Sequence, residues 1–116
     1  MNKSDFIDYV VQDLLSGLRG VSARSMFGGW GIYKDGVIFA IIVDDQLYFK
    51  VDDSNKSEYE KRGSRPFTYE LRGKPVAMSY WEVPAEIIDD RDAVKRWAEE
   101  SLRVSRQRKR TLSKRA

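Results

Sequence analysis

The sequence predicts an α+β fold of two layers, in which helices cover an antiparallel five-stranded sheet in the order α-β-β-β-α-β-β-α. Asp35-Gly36 separates two strand-like segments and supplies the positive φ angles of a tight hairpin turn. Residues 37–43 (VIFAIIV) are apolar without alternation, which is typical of a central strand buried on both faces. A second hairpin joins residues 67–71 and 76–81 through a turn at Arg72-Gly73-Lys74.

The chain begins with the pattern of an amphipathic helix. Ser4 is a suitable N-cap, and Gly17 and Gly20 bracket the end of the helix. Its apolar side chains recur at spacings of one and three, which predicts a single stripe that packs against the sheet: Phe6, Ile7, Val10, Val11, Leu14, Leu15 and Leu18.

The first strand is predicted within the glycine-rich residues 26–33 (MFGGWGIY). These residues contain neither of the glycine motifs that bind nucleotide phosphates. Glycines inside a strand indicate instead a bulge, or a place where another backbone or side chain approaches closely. The third strand follows the central one at residues 47–51 (LYFKV), after a turn at Asp44-Asp45-Gln46.

The remaining elements are a short polar helix that ends at Gly63, the second hairpin and a last helix. Tyr80 and Trp81 are neighbours on a strand, so they point to opposite faces and only one of them is expected in the core. Three acidic side chains place negative charge at the start of the last helix: Asp89, Asp90 and Asp92. The inward stripe of that helix contains Val94, Trp97, Ala98, Ser101 and Leu102.

The composition of the 116 residues predicts one domain and excludes several kinds of chemistry. The absence of Cys and His excludes disulfides, thiol catalysis and imidazole metal sites. No nucleophile has a neighbouring base in the sequence, so we expect no enzyme, metal or cofactor. Because neither a signal-peptide core nor an apolar run of membrane-spanning length is present, we expect a cytoplasmic protein without membrane contact.

Charge divides the chain into two parts. Residues 1–100 contain 14 basic and 18 acidic side chains, a net charge of −4, whereas residues 101–116 contain seven basic side chains and no acidic one. The apolar stripe of the last helix fades from about Ser105. We therefore predict a folded domain over residues 1–105 and a basic, disordered tail over residues 106–116.

Several separate segments, in the same order, resemble the N-terminal domain of the TfoX/Sxy family of bacterial competence regulators over residues 3–105. The segments are RSMFGGWGIYKDG (24–36), FAII (39–42), LYFK (47–50), FTY (67–69), MSYWEVP (78–84) and WA (97–98). The resemblance implies an antiparallel α+β domain and a cytoplasmic bacterial protein linked to the transcriptional regulation of DNA transformation. It implies no catalytic residues. We expect a standalone domain that lacks the second, helical domain of longer members.

The first functional hypothesis is a regulatory or adaptor domain that acts through protein–protein contacts. Its partner would be part of the transcription machinery, a regulator, or a second copy in a homodimer. The candidate contact surface combines aromatic and methionine side chains from the first and last strands, and the alternative is that they are ordinary core residues. The candidate residues are Met26, Phe27, Trp30, Tyr80 and Trp81.

Two alternatives remain open. The basic tail would bind nucleic acid through phosphates, with salt-dependent affinity and no sequence preference, unless it only keeps the protein soluble. The candidate nucleic-acid contacts are Arg103, Arg106, Arg108, Lys109, Arg110, Lys114 and Arg115. The second alternative is a small-ligand pocket between the sheet and the helices.

Overall fold

A computed structural model describes residues 3–26 and 28–115, with side chains for residues 5–26 and 28–108. In chain order the elements are α1 (Lys3–Asp8), a π-helical segment (Tyr9–Leu14), β1 (Val21–Met26), β2 (Gly29–Lys34), β3 (Val37–Val43), β4 (Gln46–Lys50), α2 (Lys56–Lys61), β5 (Pro66–Leu71), β6 (Lys74–Glu82), α3 (Ala85–Ile88) and α4 (Arg91–Arg115).

The strands form one sheet in the order β1-β2-β3-β4-β6-β5, and every neighbouring pair is antiparallel. Consecutive strands pair through tight turns except β4 and β5, which are separated in the chain by α2 and in the sheet by β6. β4 pairs instead with β6. The long helix α4 packs across β3 and β4. The predicted α+β class with an antiparallel sheet is therefore confirmed.

The predicted number of five strands is wrong, because the structure has a sixth strand, β1, at the edge of the sheet. This strand pairs with β2 from Val21↔Lys34 to Met26↔Gly29. Its sequence VSARSM contains only one β-branched apolar residue and no aromatic one, and its side chains mostly alternate between half-buried and exposed. Such a pattern gives a weak strand signal, and pairing with the better-defined β2 decides its conformation.

The core lies between the sheet and the helices, and among the strands β3 contributes the most buried side chains. The pairing of β2 with β3 changes register, from Ile32↔Ala40 to Tyr33↔Ile38, so Phe39 has no partner of its own on β2. This bulge lets the consecutive residues Phe39 and Ala40 both enter the core, where neither is exposed to solvent. Ile41 points away from that core.

Two glycines of β2 allow close packing, as the sequence predicted. A Cβ atom on Gly29 would collide with the carbonyl oxygen of Ile42 in the neighbouring strand. A Cβ atom on Gly31 would lie 2.7 Å from the Met26 sulfur, well inside van der Waals contact. Both glycines are therefore needed for backbone or side-chain approach rather than for phosphate binding.

The N-terminal helix widens in its second half. The amide of Leu15 donates to the carbonyl of Val10, five residues earlier, at 2.9 Å, which is the spacing of a π-helical turn. The predicted apolar stripe is present, with Ile7, Val10, Leu14 and Leu15 buried in the core.

The last helix starts at a side-chain cap and is longer than predicted. Asp90 accepts hydrogen bonds from the amides of Asp92 at 3.1 Å and Ala93 at 3.2 Å, as an N-cap does. The helix then continues to Arg115, so the backbone of residues 106–115 is helical in the structure, whereas the sequence predicted a disordered tail over residues 106–116. Arg, Lys and Gln have high helix propensity, which favours this continuation once the helix has begun.

Candidate interaction surfaces

One face of the sheet carries the core and the other face, called here the open face, points away from the helices. Strand alternation defines the open face, because Leu47 and Phe49 lie in the core cluster while Tyr48 between them does not. The open face collects large side chains from all six strands. They are Met26, Tyr33, Ile38, Ile41, Tyr48, Phe67, Tyr69, Leu71 and Tyr80.

Side chains on the open face pack against one another and leave a partly exposed apolar surface. The rings of Tyr48 and Phe67 meet edge to face, with their centroids 5.3 Å apart. Farther out on the β5–β6 hairpin, Tyr69 is 42 % exposed and Leu71 is 54 % exposed. Exposed aromatic and aliphatic side chains grouped in this way are typical of a surface that contacts another protein.

Cations border the open face on two sides. The Arg24 guanidinium lies 5.3 Å from the centre of the Tyr33 ring, and the Lys50 ammonium lies 4.8 Å from the centre of the Tyr80 ring. Burial and, to a lesser extent, the nearby Glu82 raise the pKa of the Tyr48 hydroxyl. That hydroxyl is therefore protonated near neutral pH and can donate a hydrogen bond.

Tyr80 should make the stability of the protein depend on pH in the alkaline range. Burial, and to a lesser extent the neighbouring Tyr33, raises the pKa of Tyr80 to about 12, while Arg108 acts in the opposite direction. In an unfolded chain a tyrosine has a pKa of about 10. Because the folded protein holds this proton more tightly, the free energy of unfolding should be constant below about pH 10 and fall as the pH rises towards 12.

We expect the Tyr80→Phe variant to lose less stability than the wild type between these pH values, because it has no hydroxyl at this position to ionise. Urea unfolding of both proteins at about pH 9 and about pH 11.5 measures the difference. Equal losses in the two proteins would contradict the raised pKa.

The structure divides the contact residues predicted from the sequence between the two faces. Met26 and Tyr80 lie on the open face, where Met26 is half-buried and Tyr80 is only 7 % exposed. Trp30 and Trp81 pack against the core cluster on the helix side, which matches the alternative of ordinary core packing. Phe27 lies outside the described residues. The four described side chains of the predicted surface therefore lie on two faces of the sheet.

Sequence reasoning missed the other members of the open face, in particular Tyr33, Tyr48, Phe67 and Tyr69. A signal was present in β4 (QLYFK), where an aromatic side chain alternates with two core residues and so must face the other way. The open face, however, could be recognised only from the strand order. Tyr48 lies on β4 and Phe67 on β5, and β6 lies between these two strands in the sheet.

The second candidate surface is the basic C-terminal part of α4. Arg103 donates to Glu100 at 2.8 Å and to the Ser54 hydroxyl at 2.7 Å, so its charge is partly compensated. Arg106 and Arg108 are exposed, and neither forms an ion pair with any side chain that the structure describes. The predicted contacts Lys109, Arg110, Lys114 and Arg115 lie on the same helix, but their side chains are outside the described ones.

Lys50 lies beside this basic end, although no sequence pattern identified it as a contact residue. Its ammonium group donates to the Ser79 hydroxyl at 2.6 Å, and it lines one surface depression together with Ser79 and Arg108. Burial and the like charge of Arg108 lower the pKa of Lys50, while Asp52 acts in the opposite direction. Positive charge from the sheet and from α4 is thus brought together at one end of the molecule.

A groove between α2 and α4 corresponds best to the predicted small-ligand pocket. It has a volume of about 490 Å³ and is lined by Tyr59, Trp97, Arg96 and Glu58, among others. The Tyr59 and Trp97 rings meet edge to face at 4.6 Å, and the Arg62 guanidinium lies 5.1 Å from the Trp97 ring. Tyr59 is only 1 % exposed and its hydroxyl is buried among core atoms. These aromatic side chains are therefore mainly structural.

The described residues give no indication of a metal site or a membrane-spanning helix. No three acidic side chains within residues 3–26 and 28–115 come together in a way that could hold a metal ion. In the same part of the chain, no helix is long and apolar enough to cross a membrane.

Comparison with known proteins supports the resemblance noted from the sequence. The chain is 28 % identical over 75 residues to Protein Sxy of Escherichia coli (strain K12), an alignment that covers 65 % of this chain and 36 % of that protein. It is 27 % identical over 60 residues to the DNA transformation protein TfoX1 of Aliivibrio fischeri (strain ATCC 700601 / ES114), covering 52 % of this chain and 29 % of that protein. The matched region thus spans about a third of the length of each relative.

The family model for the TfoX N-terminal domain matches residues 13–105. This match contains all six strands, α2, α3 and the part of α4 that packs against the sheet. The chain therefore belongs to the TfoX N-terminal domain family.

Proposed function

We propose that this chain is a non-enzymatic regulatory domain that acts in the cytoplasm on the expression of genes for DNA transformation, through contact between its open face and another protein. Membership of the TfoX N-terminal domain family supports the regulatory part of this proposal. One relative is named a DNA transformation protein, but the match covers only 29 % of it, so its activity is carried to this chain as part of the proposal.

The observation that carries the contact mechanism is the apolar open face. Helices cover the opposite face of the sheet, whereas Tyr69 and Leu71 remain largely exposed at the end of the β5–β6 hairpin. Protein interfaces are enriched in Tyr, Phe, Met and Arg and are surrounded by a polar rim. The open face has this composition, with Arg24 and Lys50 at its border.

The β5–β6 hairpin extends the open face beyond the edge of β4. β4 pairs with only three residues of β6, from Tyr80 to Glu82, so the hairpin near its turn extends beyond β4. Tyr69 pairs with Val76 and Leu71 pairs with Lys74 across this extension. Its side chains are therefore available to a partner without any rearrangement of the core.

The test compares two double variants in a bacterium that encodes the chain. Tyr69→Ser/Leu71→Ser removes exposed apolar surface from the open face, and Thr68→Ser/Glu70→Gln changes the same strand on its opposite side. We expect the first variant to reduce the transcripts of DNA-uptake genes as strongly as deletion of the gene, and the second to leave them unchanged. Wild-type transcript levels in the first variant, at equal protein abundance, would contradict the proposal.

A photo-cross-linking residue in place of Tyr69 identifies what contacts the open face. Cross-links to another protein, lost in the presence of Leu71→Ser, are expected. Cross-links only between two copies of this chain would contradict a separate partner and show that the open face is a homodimer interface.

A further inference from the structure

The basic end of α4 has features that regulation through the open face does not require. Residues 106–115 contain six basic side chains and no acidic one. Ser105 is the last buried residue that the structure describes, and the side chains of Arg106, Gln107 and Arg108 are exposed. Ten further helical residues correspond to about 15 Å of helix beyond the core.

This concentration of like charge is unfavourable for the isolated protein. Like charges four residues apart on a helix destabilise it, and the sequence places Arg106 and Arg110, and likewise Arg110 and Lys114, at this spacing. Lys50 adds a further charge from the sheet, and Arg108 lowers its pKa by repulsion. A bound polyanion would remove the repulsion between these groups, so an anionic partner suits this end of the molecule.

The composition of the segment distinguishes among polyanions. A helix that lies on a membrane needs an apolar face, but Leu112 is the only large apolar residue in 106–115. Binding of single-stranded nucleic acid usually involves exposed aromatic rings on which bases stack, and residues 98–116 contain no aromatic residue. A regularly spaced row of cations on a helix suits the phosphates of a duplex, which are regularly spaced themselves.

We propose that the basic end of α4, together with Lys50, binds the phosphate backbone of double-stranded DNA without reading its sequence. Arg106 and Arg108 supply the described contacts on the helix, and Lys50 extends the surface onto the sheet. Asp52 and Asp53 line the same depression as Lys50, and their negative charges limit the basic surface there. This surface borders the open face at Lys50 but does not include Tyr69 and Leu71. It therefore stands whether or not the proposed protein contact exists.

The test measures binding of the full-length chain to a fluorescent DNA duplex of arbitrary sequence, by anisotropy, at roughly 50 to 200 mM salt. The logarithm of the affinity should fall steeply with the logarithm of the salt concentration. Each phosphate contact that is lost should reduce this slope by about 1. Arg106→Gln/Arg108→Gln should therefore reduce it by about 2 and Lys50→Gln by about 1, and the sequence of the duplex should not matter.

Two control proteins make the comparison specific. Lys61→Gln/Arg65→Gln removes the same number of exposed positive charges from the region of α2 and should bind like the wild type. Tyr69→Ser/Leu71→Ser, which alters the open face, should also bind like the wild type, so failure of this proposal is distinguishable from failure of the proposed function. Circular dichroism confirms that each variant is folded.

Three outcomes would overturn the proposal. The first is the absence of duplex binding at low salt, and the second is an unchanged slope in the Arg106→Gln/Arg108→Gln variant. The third is equally tight, equally tail-dependent binding to vesicles of anionic lipid, which would assign the basic end to a membrane surface instead. An unchanged slope in Lys50→Gln would overturn the extension of the surface onto the sheet.

Discussion

Replacement of Phe39 by alanine is expected to lower the free energy of unfolding by about 3 to 5 kcal/mol, which is the range for a large aromatic side chain removed from a core. Phe39 is not exposed to solvent, and its ring lies 6.1 Å from that of Phe49 on the neighbouring strand. Phe39 belongs to the core cluster between the sheet and the helices, so its removal leaves a cavity among buried side chains.

Urea unfolding, followed by circular dichroism, measures this loss. Tyr69→Ala is the matched control, because it also removes an aromatic ring from a strand but at a position that is 42 % exposed. The control should change stability by about 0.5 kcal/mol or less, as is usual at surface sites. A loss below about 1 kcal/mol in Phe39→Ala would contradict the assignment of Phe39 to the centre of the core.

Replacement of Trp81 by alanine is also expected to cause a large loss of stability. The result decides whether Trp81 is a core residue or a contact residue. Trp81 pairs with Phe49 across β4 and β6, and its ring lies 6.4 Å from the ring of the buried Tyr59. Because Trp81 is only partly buried, we expect a loss of about 2 to 3 kcal/mol, below the range for fully buried aromatic residues. The folded fraction of this variant should still associate with a partner at the open face as the wild type does.

The same unfolding experiment measures the stability of Trp81→Ala, and the cross-linking assay from position 69 measures its association. A folded, stable variant that no longer cross-links would contradict the core role and restore Trp81 to the contact surface. If Trp81→Ala is less stable but still cross-links at a temperature where it is folded, the core role of Trp81 is supported.

Much of the fold could be predicted because it depends on neighbouring residues in the chain. Asp35 and Gly36 both have positive φ angles, of 50° and 82°, as the hairpin pattern required. The apolar run of β3 identified a strand covered on both faces, and Ile41 is indeed buried on the face opposite the core cluster. The edge strand β1 could not be recognised in this way, because only its pairing with β2 stabilises it.

The candidate surfaces were less predictable, because they depend on which strands become neighbours. The sequence identified Met26 and Tyr80 as contact residues, yet it grouped them with Trp30 and Trp81, which point the other way. Nothing local indicates that Phe67 meets Tyr48, since the two strands belong to different hairpins. For the basic end, the sequence identified the cations of the tail but not Lys50, which comes from a strand more than fifty residues earlier.

The sequence by itself therefore determined the α+β class, the two hairpins, the close packing at the glycines and the separation of a slightly acidic body from a basic C-terminal segment. These features follow from backbone preferences, side-chain periodicity and charge, all of which act over a few residues. Only the tertiary structure decided which side chains lie on which face of the sheet. The pairing of β4 with β6 and the bulge at Phe39 set which side chains enter the core and which form the open face, because a shift of a single residue reverses the direction of every side chain that follows it on a strand.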